Sequence, residues 1–342
     1  MQGDLGEALV ILLYVFLVST HRPHINIDAL FRFERKSIAA ALNLVEDRRP
    51  ARQEQALALL DELSTYPALA HVVGITGPPG AGKSSLISRL LDISAQNNRR
   101  TAVVAVDPSS KVSGGALLGD RGRMQVPAHA PVYIRSFAAR DRLGGLSREA
   151  FSAMFLLRHL CDLVIVETVG VGQSETDIAH IADTVVLVIQ PFSGDLLQFI
   201  KAGVMEIPDV LAVNKADDEG LARKALADVK AALSYEKHQH WSRPVLAVSA
   251  ATNLHLTELD AAIRSHYEHL SSTKALQQKR SEQAVAWALG EIVYEVGRRG
   301  LHALGGAERI REFWATQPSH QGEMHKLATL LRTVQWRQGA SA

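Results

Sequence analysis

An α/β fold built on a doubly wound, mostly parallel sheet is predicted by three observations. Six short apolar runs, at 70–75, 101–106, 163–166, 184–189, 211–213 and 245–248, have the length of buried strands and are too short for helices. Amphipathic stretches lie between them; the run 219–235, with Leu221, Ala225, Leu226, Val229 and Leu233 on one face, is a crossover helix of the kind parallel strands need. Several of the runs end in polar, glycine-bearing loops, and the crevice at the carboxyl ends of parallel strands is where open α/β sheets hold ligands.

Taken in order, the chain opens with an oddity. Residues 8–18 (ALVILLYVFLV) are eleven consecutive apolar residues. A membrane span needs about twenty, and a secretory signal needs a basic start, whereas Asp4 and Glu7 precede this run. A buried or partner-covered helix is the favoured reading. The rest of 1–66 is a helical extension. Ile38, Ala41, Leu42, Leu44 and Val45, then Ala56, Leu57, Leu59, Leu60 and Leu63, repeat at three and four, with a break at 48–52.

The strand 70–75 runs into Gly77, Pro78, Pro79, Gly80, Ala81, Gly82, Lys83, Ser84 and Ser85, a full G-x-x-x-x-G-K-S. Such a loop wraps backbone N–H groups around a β-phosphate, its lysine reaches the β/γ oxygens, and its serine hydroxyl can ligate Mg²⁺. The helix that starts near Lys83, with Leu86, Ile87, Leu90 and Leu91 inward, aims its positive end at the anion. Strand before and helix after supply the context that a P-loop requires. The fold class is therefore a P-loop NTPase sheet with helical extensions at both ends.

The strand 101–106 ends at Asp107, and 163–166 ends at Glu167, followed by Gly170 and Gly172. Acids at these strand ends are expected to hold Mg²⁺ together with Ser84, directly or through water. Gly170 is expected to bring backbone up to the γ-phosphate. Lys83, Asp107, Glu167 and Gly170 are the candidate catalytic set. The strand 211–213 ends in Asn214-Lys215-Ala216-Asp217, an N-K-x-D. A carboxylate there accepts from guanine N1–H and the N2 amine and would be left unpaired by adenine, a strong form of discrimination. Lys215 is expected to lie along the base and Asn214 to tie the loop to the P-loop. After the strand 245–248, backbone N–H groups of Ser249, Ala250 and Ala251 are candidates for guanine O6. GTP is the expected substrate.

These strings together resemble the MeaB/ArgK family, GTPases associated with methylmalonyl-CoA mutase. The resemblance is carried by G-P-P-G-A-G-K-S (77–84), V-D-P-S-S (106–110), G-G-A-L-L-G-D-R-x-R-M (114–124), E-T-V-G-V-G-Q-S-E (167–175) and N-K-A-D (214–217), and it runs from about Arg35 to about Tyr267. It implies a homodimeric GTPase that protects or loads an adenosylcobalamin-dependent acyl-CoA mutase and gates cofactor delivery by its nucleotide state. The chain departs from the family in two places. The partner-responsive loop reads Ser193-Gly194-Asp195-Leu196-Leu197-Gln198-Phe199-Ile200-Lys201-Ala202-Gly203, with Leu196 for an expected glutamate and Ala202 for a second lysine. The stretch 134–145 replaces a Pro/Ser-rich loop, and its Arg140 and Arg142 are candidates for an arginine finger, against the plainer reading of a solvated basic loop.

Composition bounds the alternatives. The 342 residues carry a formal charge of +1, which makes no electrostatic case for nucleic acid. The single Cys161 excludes an internal disulfide and the Cys-rich motifs of metal-inserting relatives. His238 and His240 read as solvated loop residues. A P-loop phosphotransferase and a metallochaperone remain as alternative functions. A cytoplasmic location is expected. The division expected is 1–66, 67–271 and 272–342, the last a helical region whose face of Ala284, Val285, Trp287, Ala288, Ile292, Val293 and Val296 suits core packing or a dimer surface.

Overall fold

The computed structural model describes residues 25–108, 130–139, 148–168, 178–191, 204–233, 241–317, 323 and 325–331. The apolar run 8–18, Gly170, Gly172, Arg140, Arg142, His238, His240 and the loop 193–203 lie outside them. By internal contacts the chain forms two compact units, one of residues 69–291 and one made from residues up to 68 together with those from 292 onward.

The larger unit holds a seven-stranded sheet: β1 (His71–Thr76), β2 (Thr101–Pro108), β3 (Val132–Ala139), β4 (Leu163–Glu167), β5 (Thr184–Ile189), β6 (Val210–Val213) and β7 (Val245–Ala247). The order is β3-β2-β4-β1-β5-β6-β7, and every pairing is parallel. The six predicted strands are all present. β3 is the correction: the stretch from Ile134 reads in sequence as part of a loop, and through Ala139 it is an edge strand paired along β2. Only Val132 and Phe137 of its described side chains are buried, so its apolar signal is thin. An edge strand covered on part of its surface does not need the continuous Val/Ile/Leu run that central parallel strands show.

Those central strands are buried on both faces. β5 makes the point within one segment: Val186 and Val188 join the core under α4 (Lys83–Gln96) and α7 (Leu256–Ser272), while Leu187 and Ile189 join a second cluster with Val229 of α6 (Glu219–Leu233). Adjacent side chains point to opposite faces, so helices on both sides require apolar residues at every position. α5 (Arg148–Leu160) packs against β2 and β4. The long α8 (Ala275–Ala303) bends at Gly297, whose φ of 69° is left-handed.

Up to Glu291, α8 belongs to the sheet unit and is held there by polar side chains at the amino ends of the strands. Arg280 donates from Nε to Asp183 Oδ1 at 2.8 Å and from Nη2 to Oδ2 at 2.6 Å, and also to Ala70 O. Asp183 is fully buried and accepts Val72 N–H as well. Burial alone would raise its pKa, but the hydrogen bonds and charge of Arg280 outweigh that and hold it below the usual carboxylate range. Gln283 Nε2 caps Ala179 O and Ala182 O, each at 2.8 Å.

The second unit contains α1 (Ile27–Phe31), α2 (Arg35–Glu46), α3 (Pro50–Ser64) and α9 (Gly306–Thr316). Its core includes Leu30 together with Ile38, Leu42, Leu59, Leu60 and Leu63 of the apolar stripes read from the sequence. Pro50 at the first turn of α3 explains the break before it, since proline suits the first helical turn and the residue ahead of it stays extended.

Candidate functional site

The site is assembled at the carboxyl ends of β1, β4, β5, β6 and β7. After β1 the chain turns through three glycines with positive φ: Gly77 (141°), Gly80 (78°) and Gly82 (88°). Space as well as φ excludes a side chain at two of them. A Cβ on Gly77 would stand 2.0 Å from Val188 O, and one on Gly82 would stand 2.4 Å from Asn214 Nδ2. Gly82 is the N-cap of α4 and no side chain caps that end, so the positive end of the helix dipole lies at the loop. Pro78 and Ala81 are buried in the loop wall, with Ala81 N donating to Pro78 O, while Pro79, Gly80 and Ser85 are exposed. Lys83 is buried and donates from Nζ to Gly77 O at 2.8 Å and Pro78 O at 3.2 Å. Its charge is thus held inside the curl of the loop.

β4 pairs directly with β1, placing Ile75 opposite Glu167. This register brings the Glu167 carboxylate to the start of α4, where Ser84 Oγ donates to Oε1 at 2.8 Å. A hydroxyl and a carboxylate side by side are a hard oxygen donor pair, the chemistry Mg²⁺ takes. Next to them Thr168 Oγ1 donates to Thr76 Oγ1 at 3.0 Å and stitches the two strand ends together. β2 lies on the far side of β4, with Ala105 opposite Glu167, so the backbone of Asp107 ends at the same edge of the sheet. The Asp107 side chain lies outside the described part of the chain.

The other half of the site hangs on Asn214. Its Nδ2 donates to Ala81 O at 2.8 Å and its Oδ1 accepts from Ala250 N at 3.2 Å. One buried amide therefore binds the P-loop, the end of β6 and the turn after β7, and the predicted tie between Asn214 and the P-loop is present. Lys215 follows with φ 60° and an exposed side chain whose Nζ donates to Gln190 Oε1 at 2.7 Å. Ala216 N reaches back to Val248 O. The Asp217 carboxylate accepts from Ser249 Oγ and, at 3.4 Å, from Thr252 Oγ1. Of the three N–H groups predicted for a base oxygen, those of Ser249 and Ala250 already donate within the chain, to Leu254 O and Asn214 Oδ1. Ala251 is exposed.

Sequence reasoning missed Gln190, Thr252 and Arg89, whose Nε donates to Ala250 O at 3.0 Å. None has a motif. The one cue was position: Gln190 follows a predicted strand, Thr252 follows the Ser-Ala-Ala turn, and Arg89 lies one turn beyond the P-loop on a helix already assigned.

Comparisons with known proteins agree with this geometry. The family model described as "Methylmalonyl Co-A mutase-associated GTPase MeaB" matches residues 38–301. A putative GTPase of Pyrococcus horikoshii is 42% identical over 260 residues, covering 74% of this chain and 80% of the relative. The GTPase ArgK of Escherichia coli is 38% identical over 277 residues, covering 79% and 84%. A Caenorhabditis elegans protein named "Methylmalonic aciduria type A homolog, mitochondrial" is 32% identical over 292 residues, covering 79% and 73%. Among solved structures, that of a protein named "LAO/AO transport system kinase" superposes with a TM-score of 0.64 at 30% identity, covering 85% of this chain and 96% of its own. With a P-loop, an N-K-x-D and relatives named as GTPases across most of its length, the chain is a GTP hydrolase and belongs to the MeaB family of methylmalonyl-CoA mutase-associated GTPases.

Proposed function

We propose that the chain hydrolyses Mg²⁺-bound GTP to GDP and phosphate as a nucleotide-gated chaperone for an adenosylcobalamin-dependent acyl-CoA mutase of the methylmalonyl-CoA mutase kind. The observation that carries the nucleotide half is Asn214, which joins the phosphate loop to the base-reading turn through two hydrogen bonds of one buried amide. In this reading residues 77–85 wrap the phosphates and Lys83 neutralises the β/γ oxygens. Asn214, Lys215, Ala216, Asp217 and the turn 249–251 hold guanine. Ser84, Glu167 and Asp107 hold Mg²⁺, which supplies charge neutralisation on the phosphate oxygens. The chain's own work is to position: glycine backbone and the α4 amino end cradle the anion, and Gly170 brings backbone to the γ-phosphate. Because little covalent chemistry falls to the protein in phosphoryl transfer, such positioning and electrostatics account for most of the rate.

The mutase half is supported by the description of the family and by the name of the nematode relative. A homodimer formed through the helical region 272–342, a cytoplasmic location and the three-part division at 66 and 271 belong to the same reading. Among the described residues no helix is long and apolar enough to cross a membrane.

The phosphotransferase alternative draws only on the word "kinase" in the name of the superposable protein, whereas the relatives are named as GTPases. Product analysis separates the two. We expect phosphate release from GTP and not from ATP, slow alone and accelerated by a matching mutase. Transfer of the γ-phosphate to an acceptor would establish the kinase reading, and GTP hydrolysis indifferent to every such mutase would remove the proposed partner.

A further inference from the structure

The turn after β7 offers backbone N–H groups on Ser249, Ala250, Ala251 and Thr252, and three of them are already engaged. Ser249 N closes an antiparallel bridge to Leu254 O at 3.1 Å. Ala250 N donates to Asn214 Oδ1 at 3.2 Å, and Thr252 N donates to Ser249 Oγ at 3.1 Å. The Ala251 N–H has no acceptor among the described residues, and Ala251 is exposed.

The peptide group that carries this N–H is nevertheless held, from its other end. The Ala250 carbonyl accepts from Arg89 Nε at 3.0 Å. Carbonyl and following N–H point in opposite directions across a planar trans peptide. The bond that draws the Ala250 oxygen toward α4 therefore aims the Ala251 N–H away from α4. It leaves from the turn in which Ser249 Oγ orients the Asp217 carboxylate. Arg89 is itself steadied one turn along the helix, where Nη1 donates to Asp92 Oδ2 at 3.2 Å. A guanidinium is suited to this because its donors are planar and always charged, and charge-assisted bonds are stronger than neutral ones.

We infer that Arg89 is a positioning residue for base recognition: by pinning the Ala250–Ala251 peptide it makes the Ala251 N–H the donor to guanine O6. The inference rests on the guanine reading proposed above. It gives α4 two tasks, since its first turn faces the phosphates and its second turn, through Arg89, sets the donor that reads the base.

The test is equilibrium binding of GDP, IDP, 6-thio-GDP and ADP to the full chain, to Arg89→Ala and to Arg89→Lys. GDP and IDP carry the O6 oxygen; 6-thio-GDP puts a poorly accepting sulfur there and keeps N1–H and the N2 amine. Arg89→Ala is expected to weaken GDP and IDP about fivefold to tenfold, the size of one well-aligned hydrogen bond, and 6-thio-GDP by less than about twofold. The preference for oxygen over sulfur then collapses, and Arg89→Lys, which still carries a donor, restores part of it. The preference is a ratio taken within each protein, so partial unfolding of a variant does not mimic the effect. Equal losses on GDP and 6-thio-GDP, or a preference unchanged in Arg89→Ala, would overturn the inference and reduce Arg89 to a brace of the helix. A wild-type chain that binds GDP no better than ADP would instead overturn the guanine reading itself.

Discussion

The two ends of the sheet carry similar polar residues to opposite effect. At the carboxyl end, Lys83, Ser84, Glu167, Asn214 and Asp217 meet across glycine-rich loops, no side chain caps the amino end of α4, and the Ala251 N–H has no acceptor among the described residues. At the amino end, Asp183, Arg280, His71, Thr184, His266 and Asp209 close on one another. His71 Nε2 lies 2.7 Å from Thr184 Oγ1, which lies 2.8 Å from His266 Nδ1, and His266 Nε2 faces Asp209 Oδ1 at 3.3 Å. A hydroxyl has one proton to give. If His266 donates to Asp209, its Nδ1 accepts from Thr184, and His71 Nε2 donates to Thr184; both imidazoles are then neutral and every bond in the row is used. The lesson is that burial and polarity do not by themselves mark a functional site. What marks it is whether hydrogen-bonding capacity is kept for something outside the chain.

Removing one side chain from each end sharpens the contrast. Lys83→Ala is expected to lower GTP turnover by about a thousandfold, comparable to the loss of a preorganised charge-stabilising donor, while the thermal midpoint moves little. Steady-state kinetics beside a melting curve checks both halves. An unfolded Lys83→Ala protein would mean that the carboxyl-end lysine is structural too, and the contrast would fail.

Arg280→Ala should do the reverse. It leaves the fully buried Asp183 carboxylate without its bidentate partner, which is expected to cost about 3 kcal/mol of stability. Chemical denaturation measures the loss. At a temperature where the variant is still folded, GTP turnover should stay within about twofold of the parent. Asp183→Asn added to Arg280→Ala should recover part of the stability, because the stranded charge is gone.

A smaller effect, spread over pH, probes the histidine row. Desolvation lowers the pKa of His71 to about 3 and that of His266 to about 4, against the pull of Asp183 on the first and Asp209 on the second. Lys279, Arg280 and Arg99 face the pair as well and oppose protonation. The folded state therefore holds both rings neutral while the unfolded chain takes up protons below about 6.5. Their contribution to stability is full above that value and is lost as pH falls from there toward 4. The slope is at most about 1.4 kcal/mol per pH unit for each histidine. Asp183, with a lowered pKa, loses its own contribution only further into acid. Denaturation midpoints between pH 7 and pH 4 check the slope, and His266→Gln should flatten it.

Much of this was legible in the chain. The strands 70–75, 101–106, 163–166, 184–189, 211–213 and 245–248 announce themselves because central parallel strands must be apolar at every position. β3 escaped for the complementary reason. Edge position relaxes that demand, and Tyr133, Arg135 and Ser136 are only partly buried. The phosphate loop and the N-K-x-D were readable because their chemistry is local: glycines where φ must be positive and an acid placed by its own strand end.

The sequence by itself determined the nucleotide class, the kind of sheet and the glycine turns of the P-loop, since each depends on contiguous segments whose backbone geometry their own residues dictate. The tertiary structure alone decided which donors stay available. Arg89 reaches Ala250 across 161 positions and Arg280 reaches Asp183 across 97. Pairings at such separations follow from strand order, register and helix packing, and they leave no periodic trace in the residues that make them.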